Sequence, residues 1–233
     1  DLKLVTFYQE NNIQKIIVNY KNKICNYTIP IIGDFQIYNS LCAICLAYFS
    51  GISINKCLEA IKKIPQIPGR LESIKIPNKI KKKISVFIDY AHTPDALKKT
   101  LQTLKKNSVK LSVVFGCGGD RDQSKRSLMG SIAEKWSDFV MVTSDNPRSE
   151  NPLEIILEIQ KGFHSKNYKV HLDRLQAIRD IIKLARKKDV VILAGKGHES
   201  EQQVAGQFQY FDDRQAARMV LQEMGYGNSA NAQ

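Results

Sequence analysis

From residue 85 onward, short apolar runs alternate with amphipathic stretches along the chain. The apolar runs predict buried strands, because a strand covered on both faces of a sheet needs apolar side chains throughout. They occupy residues 85–89, 111–115, 138–143, 168–172 and 189–194, with a short candidate at 208–211. The amphipathic stretches predict helices at residues 94–105, 124–136, 152–163, 175–187 and 214–224. This alternation predicts an α/β fold, in which a Rossmann-like, doubly wound and mostly parallel sheet has helices on both faces.

The residues before this region follow a different pattern. Two short strands are predicted at 16–20 and 25–32, and two helices at 39–51 and 54–64. The segment 65–70 (PQIPGR) then ends the second helix, since proline and glycine at this density mark a junction. We therefore predict that residues 1–68 form the end of one domain, residues 69–225 a second domain and residues 226–233 a flexible polar tail.

The chain carries a net charge of +12, and many of its lysines lie between residues 56 and 110, including the run 81–83. A basic run of this kind serves either as an anion-binding face or as an ordinary solvated surface. We favour the solvated surface, because aromatic side chains are not interleaved with the lysines as binding to single-stranded nucleic acid requires. Neither nucleic acid nor a membrane is therefore an expected partner, and no apolar run is long enough to cross a bilayer.

Five cysteines are present, and the sequence shows no secretory signal. An odd number of cysteines without such a signal argues against a disulfide framework and indicates a reducing, cytoplasmic location. Cys42 and Cys45 form a C-x-x-C, but no second pair of Cys or His stands at zinc spacing. We therefore predict that both are small buried hydrophobic residues of a helix and that the chain holds no metal site of its own.

Four loops that follow predicted strands are rich in polar residues, at 89–95, 116–122, 144–148 and 195–199. In a doubly wound sheet, ligands bind at the carboxyl ends of the strands, so we expect these loops to share one edge. The loop of Asp145, Asn146, Pro147 and Arg148 carries both charges and an amide, which suits a small zwitterionic ligand. Glu199 either receives an ammonium group or caps the segment that follows.

Other residues of these loops allow two interpretations each. The loop that begins at Gly116 either cradles a phosphate or contains a turn with positive φ; it matches neither a P-loop nor a dinucleotide-binding loop. Arg121 either binds a carboxylate or forms a local salt bridge with its acidic neighbours. His92 and His198 lie on the same predicted edge and are as consistent with ligand binding as with a structural role.

Taken in order, four motifs resemble the Mur ligase family of ATP-dependent, amide-forming enzymes of peptidoglycan synthesis. They are DYAHTPDAL at 89–97, FGCGGDRDQSKR at 115–126, DNPR at 145–148 and GKGHE at 195–199. The resemblance covers about residues 70–225. Residues 1–68 are similar to the end of the family's central ATPase domain, through GDFQIYN at 33–39 and PGR at 68–70, although Gln36 stands where the family often has Asn.

Within the family, the resemblance is to the UDP-N-acetylmuramoyl-tripeptide synthetases. It implies that meso-diaminopimelate is added to UDP-N-acetylmuramoyl-L-alanyl-D-glutamate through an acyl phosphate, with ATP and Mg²⁺. DNPR is the family's signature for diaminopimelate, and lysine-adding relatives differ at the position of Arg148. The implied diaminopimelate-binding residues are Arg121, Asp145, Asn146, Pro147, Arg148, Gly195 and Glu199. The implied ATP-binding residues are Asn39, Arg70, Asp89, Tyr90 and His92.

The chain contains no G-x-x-x-x-G-K-[ST] and begins at Asp1 without a Met. We therefore expect a fragment, and the resemblance implies that the P-loop, the UDP-sugar domain and most Mg²⁺ ligands lie upstream. We also expect a monomer whose partners are small molecules. A purified 233-residue chain should form no product from ATP, diaminopimelate and the UDP-linked dipeptide; product formation in a direct assay would contradict this expectation.

Three alternatives remain open. The chain could belong to a Mur-type ligase for another amino acid, such as lysine, or glutamate as in folylpolyglutamate synthetase; Arg148 argues against lysine. It could be a non-catalytic nucleotide-binding domain or a dehydrogenase domain, although Arg121 occupies the last glycine position of the dinucleotide motif. It could also be a basic nucleic-acid-binding module, which would show salt-dependent affinity for DNA or RNA.

Overall fold

A computed structural model describes residues 2–10, 13–75, 84–106 and 108–226 of the chain. It forms two compact units, Asp1–Ile67 and Pro68–Gln233. The lysine run at 81–83 lies outside the described residues, and so does the predicted tail except for the backbone of residue 226. The assignment of the first unit to the end of an ATPase domain stays a prediction.

The first unit is a three-stranded antiparallel sheet, of order β1-β2-β3, with two helices. Its core consists of apolar side chains from both layers, among them Ile16, Val18, Ile37 and Leu58. β1 was not predicted, α1 begins five residues before its predicted start at 39, and β3 ends three residues before its predicted end at 32. The elements are β1 (Leu2–Glu10), β2 (Ile13–Tyr20), β3 (Lys23–Ile29), α1 (Asp34–Phe49) and α2 (Ile54–Ile61).

The prediction that Cys42 and Cys45 are both buried is wrong. Cys42 is exposed and Cys45 is half-buried, because α1 turns Ile37, Ser40 and Ile44 toward the core. All five cysteines are free thiols.

The second unit contains a six-stranded sheet of order β4-β5-β9-β6-β7-β8, in which only β4 is antiparallel to its neighbour. This confirms the predicted fold class. The strands are β4 (Glu72–Ser73), β5 (Ser85–Asp89), β6 (Leu111–Phe115), β7 (Phe139–Val142), β8 (Tyr168–Val170) and β9 (Val190–Ala194). The helices are α3 (Pro94–Lys105), α4 (Lys125–Trp136), α5 (Pro152–Gln160), α6 (Arg174–Leu184) and α7 (Asp213–Leu221).

An antiparallel hairpin of β10 (Glu201–Val204) and β11 (Gln207–Tyr210) follows β9. The sequence analysis predicted one strand there, because β10 is polar and carries no apolar run. None of the helices in the described ranges has both the length and the apolar composition that a bilayer-crossing segment requires.

The helix starts follow from local chemistry. Thr93, Asn151, Asp173 and Asp212 each accept a hydrogen bond from a backbone N–H in the first turn of the helix that follows. Such caps accept hydrogen bonds from backbone N–H groups of the first turn, which have no partner inside the helix. The first residue of α3 and of α5 is a proline, which has no backbone N–H and therefore needs no acceptor. The caps at Thr93 and Asn151 thereby join two of the polar loops, 89–95 and 144–148, to the helices that follow them.

Arg174, the first residue of α6, is buried and ties two strand ends together. Its Nε and Nη2 donate to the two carboxylate oxygens of Asp213 at 2.8 and 2.7 Å. Its Nη1 and Nη2 also donate to the carbonyl oxygens of Ser144 and Ala194 at 3.4 and 3.1 Å. Because Ser144 is the first residue of one polar loop and Ala194 immediately precedes another, this guanidinium sets the spacing between those loops.

Replacing Arg174 with Met should lower the free energy of unfolding by about 3–5 kcal/mol, because it leaves the buried Asp213 carboxylate without a partner. Urea denaturation would measure this loss. Arg179→Met is the control, because Arg179 lies on the same helix as Arg174 but pairs with the half-exposed Glu223. This substitution should lower the free energy of unfolding by less than about 1 kcal/mol. Similar losses for the two variants would contradict the role of the buried pair.

Candidate functional site

The predicted shared edge of the loops is observed. The carboxyl ends of β5, β9, β6 and β7 are neighbours in the sheet. A cavity of about 360 Å³ lies at this edge, within the range typical of small-molecule sites. Its walls come from three segments: Asn146 and Arg148 of the DNPR loop, residues 198–201, and the hairpin side chains Gln203 and Phe208.

Asn146 and Glu199 face this cavity as a hydrogen-bonded pair. Asn146 Nδ2 donates to Glu199 Oε2 at 3.0 Å. Asn146 Oδ1 accepts from the backbone N of Gln203 at 3.0 Å and from Lys196 Nζ at 3.5 Å. The donors around Oδ1 determine which way the amide points. The side chain of Glu199 remains one-third exposed, so a held negative charge is open to the cavity.

Lys196 is a residue of this site that the sequence analysis missed. It is fully buried, donates to the carbonyl oxygen of Glu201 at 2.5 Å, and lies 3.6 Å from Glu199 Oε2. A buried ammonium needs partners of this kind, so Lys196 holds the Glu199 carboxylate and the Asn146 amide in place. The position of Lys196 between two glycines, directly after an apolar run, is the sequence feature that could have indicated its place in the site.

Arg148 supplies the positive charge at the cavity. Its backbone has φ of 53°, and it is paired with the hairpin: its N donates to Gln203 O at 3.0 Å, and its O accepts from Ala205 N at 2.8 Å. Its Nη1 donates to Gly119 O at 2.7 Å. Within the described residues, Nε and Nη2 of Arg148 make no hydrogen bond. Two N–H-bearing atoms of a half-buried guanidinium are thus available for a carboxylate.

The glycines of the loop 116–119 allow two backbones to approach closely. A Cβ on Gly116 would collide with the carbonyl oxygen of Thr143, and one on Gly119 with that of Pro147. Neither has positive φ; the positive φ of this loop, 53°, belongs to Asp120. The loop thus contains a residue with positive φ, but this residue is Asp120 and not a glycine, and Gly116 and Gly119 serve loop packing.

Arg126 anchors this loop through hydrogen bonds to the loop and to two glutamates. It is almost fully buried and donates to both carboxylate oxygens of Glu150 at 2.9 Å, to Glu158 at 2.8 Å and to Gly118 O at 3.3 Å. Glu150 in turn accepts from the backbone N of Asp120 at 2.5 Å. The loop is thereby fixed against the segment that follows Arg148.

Arg121 lies on the same loop and is exposed. Its Nη1 donates to Asp120 O at 3.1 Å, and the part of the chain that the structure describes contains no ion pair of Arg121 within 4 Å. A Cβ on Gly118 would lie 2.8 Å from Arg148 Nη1 and 3.8 Å from Arg121 Cγ, so both arginines border Gly118. The local salt bridge considered for Arg121 is not formed.

Asp145 is buried behind the cavity, and its Oδ2 has no hydrogen-bond partner. Burial raises the pKa of Asp145, and the positive charges of Arg174 and Lys196 oppose that rise. Gly195 has φ of 113°, and a Cβ there would lie 2.6 Å from Asp145 Oδ2. Gly195 thus leaves room for the Asp145 carboxylate.

A second cluster contains most of the residues predicted to bind the nucleotide. The guanidinium carbon of Arg70 lies 5.0 Å from the ring centroid of Tyr90. The Tyr90 ring lies 4.6 Å from that of His92 and 5.5 Å from that of His198, which lines the cavity. Burial and the nearby charge of Glu199 raise the pKa of the Tyr90 phenol. This cluster adjoins the cavity.

Asp89 and Asn39 are placed differently. Asp89 is buried, accepting from Leu71 N at 2.8 Å and from Thr100 Oγ1 at 3.0 Å, so it positions the segment that carries Arg70. Asn39 belongs to the first unit, where its Nδ2 donates to Gln36 Oε1 at 3.0 Å. Contact of either residue with a nucleotide stays a prediction.

No group of three or more His, Cys, Asp or Glu side chains with metal-binding geometry occurs in the described ranges.

The second unit is thus a doubly wound α/β domain with a small-molecule-sized cavity at the carboxyl ends of its strands. Comparison with known families identifies the family to which this domain belongs. Residues 69–197, more than half of the chain, match the model described as "Mur ligase, glutamate ligase domain". The chain belongs to the Mur ligase family.

Two curated relatives are both named UDP-N-acetylmuramoyl-L-alanyl-D-glutamate–2,6-diaminopimelate ligase. The relative from Prochlorococcus marinus subsp. pastoris is 47% identical over 199 residues, covering 84% of this chain and 39% of its own length. The relative from Syntrophomonas wolfei subsp. wolfei is 46% identical over 208 residues, covering 88% and 42%. A solved structure of a ligase with the same name is 32% identical with a TM-score of 0.67, covering 97% of this chain and 46% of that one. The chain therefore spans less than half the length of these relatives.

The raised pKa of Asp145 has a testable consequence. An acid whose pKa is higher in the folded than in the unfolded state binds its proton more tightly when folded, so it adds stability as the pH falls. Asp145→Asn removes this contribution. The free energy of unfolding of the variant minus that of the parent should be most positive near neutral pH and should decrease toward pH 3.8, the ordinary pKa.

Thermal or urea unfolding across this pH range would measure the difference. Asp120→Asn is the control, because hydrogen bonds from Ser149 lower the pKa of Asp120. The stabilisation by Asp120 is lost only as the pH falls below its ordinary pKa of 3.8, so the difference for this variant should change little between neutral pH and pH 3.8. A difference for Asp145→Asn that does not vary with pH would contradict the assignment.

Proposed function

We propose that this chain is the amino-acid-selecting part of an ATP-dependent ligase that adds meso-diaminopimelate to UDP-N-acetylmuramoyl-L-alanyl-D-glutamate. The observation that carries the proposal is a cavity lined by an open carboxylate, Glu199, an available guanidinium, Arg148, and the Asn146 amide. The names of the relatives support the same assignment.

The far end of diaminopimelate carries an ammonium and a carboxylate on one carbon. Glu199 would receive the ammonium, and Arg148 would bind the carboxylate through its free N–H groups. Arg121 adds positive charge beside Arg148, while Pro147 and Gly195 shape the loops. Lysine lacks this carboxylate and would leave the guanidinium without a partner, so the cavity favours diaminopimelate.

In the proposed reaction, ATP phosphorylates the D-glutamate side-chain carboxylate, forming an acyl phosphate and ADP. The amine of diaminopimelate attacks the acyl carbon, and the tetrahedral intermediate expels phosphate. The contribution of this chain would be to bind and orient the amino acid so that its reacting amine is held for attack. Within the second unit, Arg70, Tyr90 and His92 are proposed to contact the nucleotide, and Asp89 to position Arg70 through Leu71. Nucleotide contact by Asn39 of the first unit is a separate proposal, which rests on the resemblance of residues 33–39 to the family.

Mg²⁺ supplies charge neutralisation in phosphoryl transfer. Since the described residues offer no metal-binding cluster, we assign no residue of this chain to it. We further propose that the protein is a monomer and that its other partners are small molecules. Its proposed location is the cytoplasm, where ATP is available as the cosubstrate.

The test is calorimetric titration of the chain with meso-diaminopimelate and with L-lysine. The parent should prefer diaminopimelate, and Arg148→Ala should weaken diaminopimelate binding by about 10- to 100-fold, the usual value of a charged hydrogen-bonded contact, while leaving lysine binding unchanged. Arg148→Lys should recover only part of the affinity, since Lys cannot bind a carboxylate bidentately.

Arg218→Ala is the matched control, because Arg218 is exposed on α7, is absent from the cavity wall and changes the net charge equally. The proposal would be contradicted if the parent bound both amino acids with equal affinity, or if it bound neither of them.

A further inference from the structure

The hairpin β10–β11 is held firmly against the DNPR loop. Besides the two backbone hydrogen bonds with Arg148, Gln202 Nε2 donates to Asp145 O at 2.6 Å, and Gln203 N donates to Asn146 Oδ1 at 3.0 Å. Lys196 additionally binds the carbonyl of Glu201. The hairpin is therefore a wall at a set distance from Arg148 and Glu199.

One face of this wall carries aromatic side chains. Gln203 is paired with Phe208, and Glu201 with Tyr210, so these four side chains share one face of the hairpin. Phe208 and Tyr210 are each 66% exposed. Phe208 lines the cavity, whereas Tyr210 does not.

Phe208 is the one apolar side chain among the described residues that line the cavity. The other lining groups are charged or polar, and they suit the ionic end of a ligand. A diamino acid also has a hydrocarbon segment of three methylene groups between its two charged carbons. That segment gains free energy of binding only where an apolar surface removes it from water.

We propose that Phe208 is a binding residue that covers the hydrocarbon chain of the bound amino acid and contributes affinity through that contact. This inference rests on the proposed function and adds to it a contact that Arg148 and Glu199 cannot make. The ring is exposed in the free protein and held by a rigid hairpin, so binding would remove apolar area on both partners without a rearrangement of the wall. Recognition would then combine an ionic end with an apolar middle.

Phe208 and Arg148 should affect different parts of the ligand. Lysine contains a comparable hydrocarbon chain but no second carboxylate. Phe208→Ala should therefore weaken binding of both meso-diaminopimelate and L-lysine, whereas Arg148→Ala should weaken only diaminopimelate. This contrast separates the apolar contact from the ionic one.

The experiment is calorimetric titration of the 233-residue chain at several temperatures. Phe208→Ala should weaken diaminopimelate binding by about five- to twentyfold and make the heat-capacity change of binding less negative, because less apolar surface is buried. Phe208→Leu should lose less than about threefold, since it keeps much of the apolar surface. Tyr210→Ala is the control, because Tyr210 lies on the same strand and the same face as Phe208 and is equally exposed, but it does not line the cavity.

Each outcome decides something. Because Phe208 is exposed, the melting temperature of Phe208→Ala should stay close to that of the parent, which excludes misfolding as the cause of a loss. An unchanged affinity in Phe208→Ala, or an equal loss in Tyr210→Ala, overturns the inference while the proposed function stands. Failure of the folded parent to bind diaminopimelate overturns the proposed function and the inference with it.

Discussion

The second unit depends on a buried arginine that bonds to two strand ends at once. Removing the charges of Arg174 and Asp213 from water is costly, and their mutual hydrogen bonds offset that cost only because the geometry is bidentate. The guanidinium also donates to the carbonyl oxygens of Ser144 and Ala194, where two of the polar loops begin. The same contact that satisfies a buried charge therefore aligns the DNPR loop with the loop of Gly195 and Glu199.

A second buried arginine performs the corresponding task for the glycine-containing loop. Arg126 joins Glu150, Glu158 and the carbonyl of Gly118, and Glu150 then binds the backbone of Asp120. Arg148, which lines the cavity and donates to the carbonyl of Gly119, is thus supported by residues that do not line the cavity. Arg148, with its positive φ, is held by pairing with the hairpin, which is how a sparsely populated backbone conformation persists at the wall of the cavity.

Sequence reasoning was most accurate where a single physical requirement dominated. The bounds of β5, β6 and α3 agree with the predicted ranges, because an apolar strand buried on both faces and a Thr-Pro helix start leave few alternatives. It was least accurate where burial depends on the partner surface. β1 and β10 are polar or only partly buried strands, and the exposure of Cys42 depends on which face of α1 meets the sheet.

By itself, the sequence determined the fold class and the edge at which the functional loops meet, because parallel strands place all their carboxyl ends on one side. It also determined which residue types the loops carry. Only the tertiary structure decided which of those residues cooperate. Lys196 and Phe208 became part of the site, and Asp89 became a support for its neighbours, through contacts between residues far apart in the chain. Spacing along a sequence does not encode such contacts, since they arise when separate loops and the hairpin pack together.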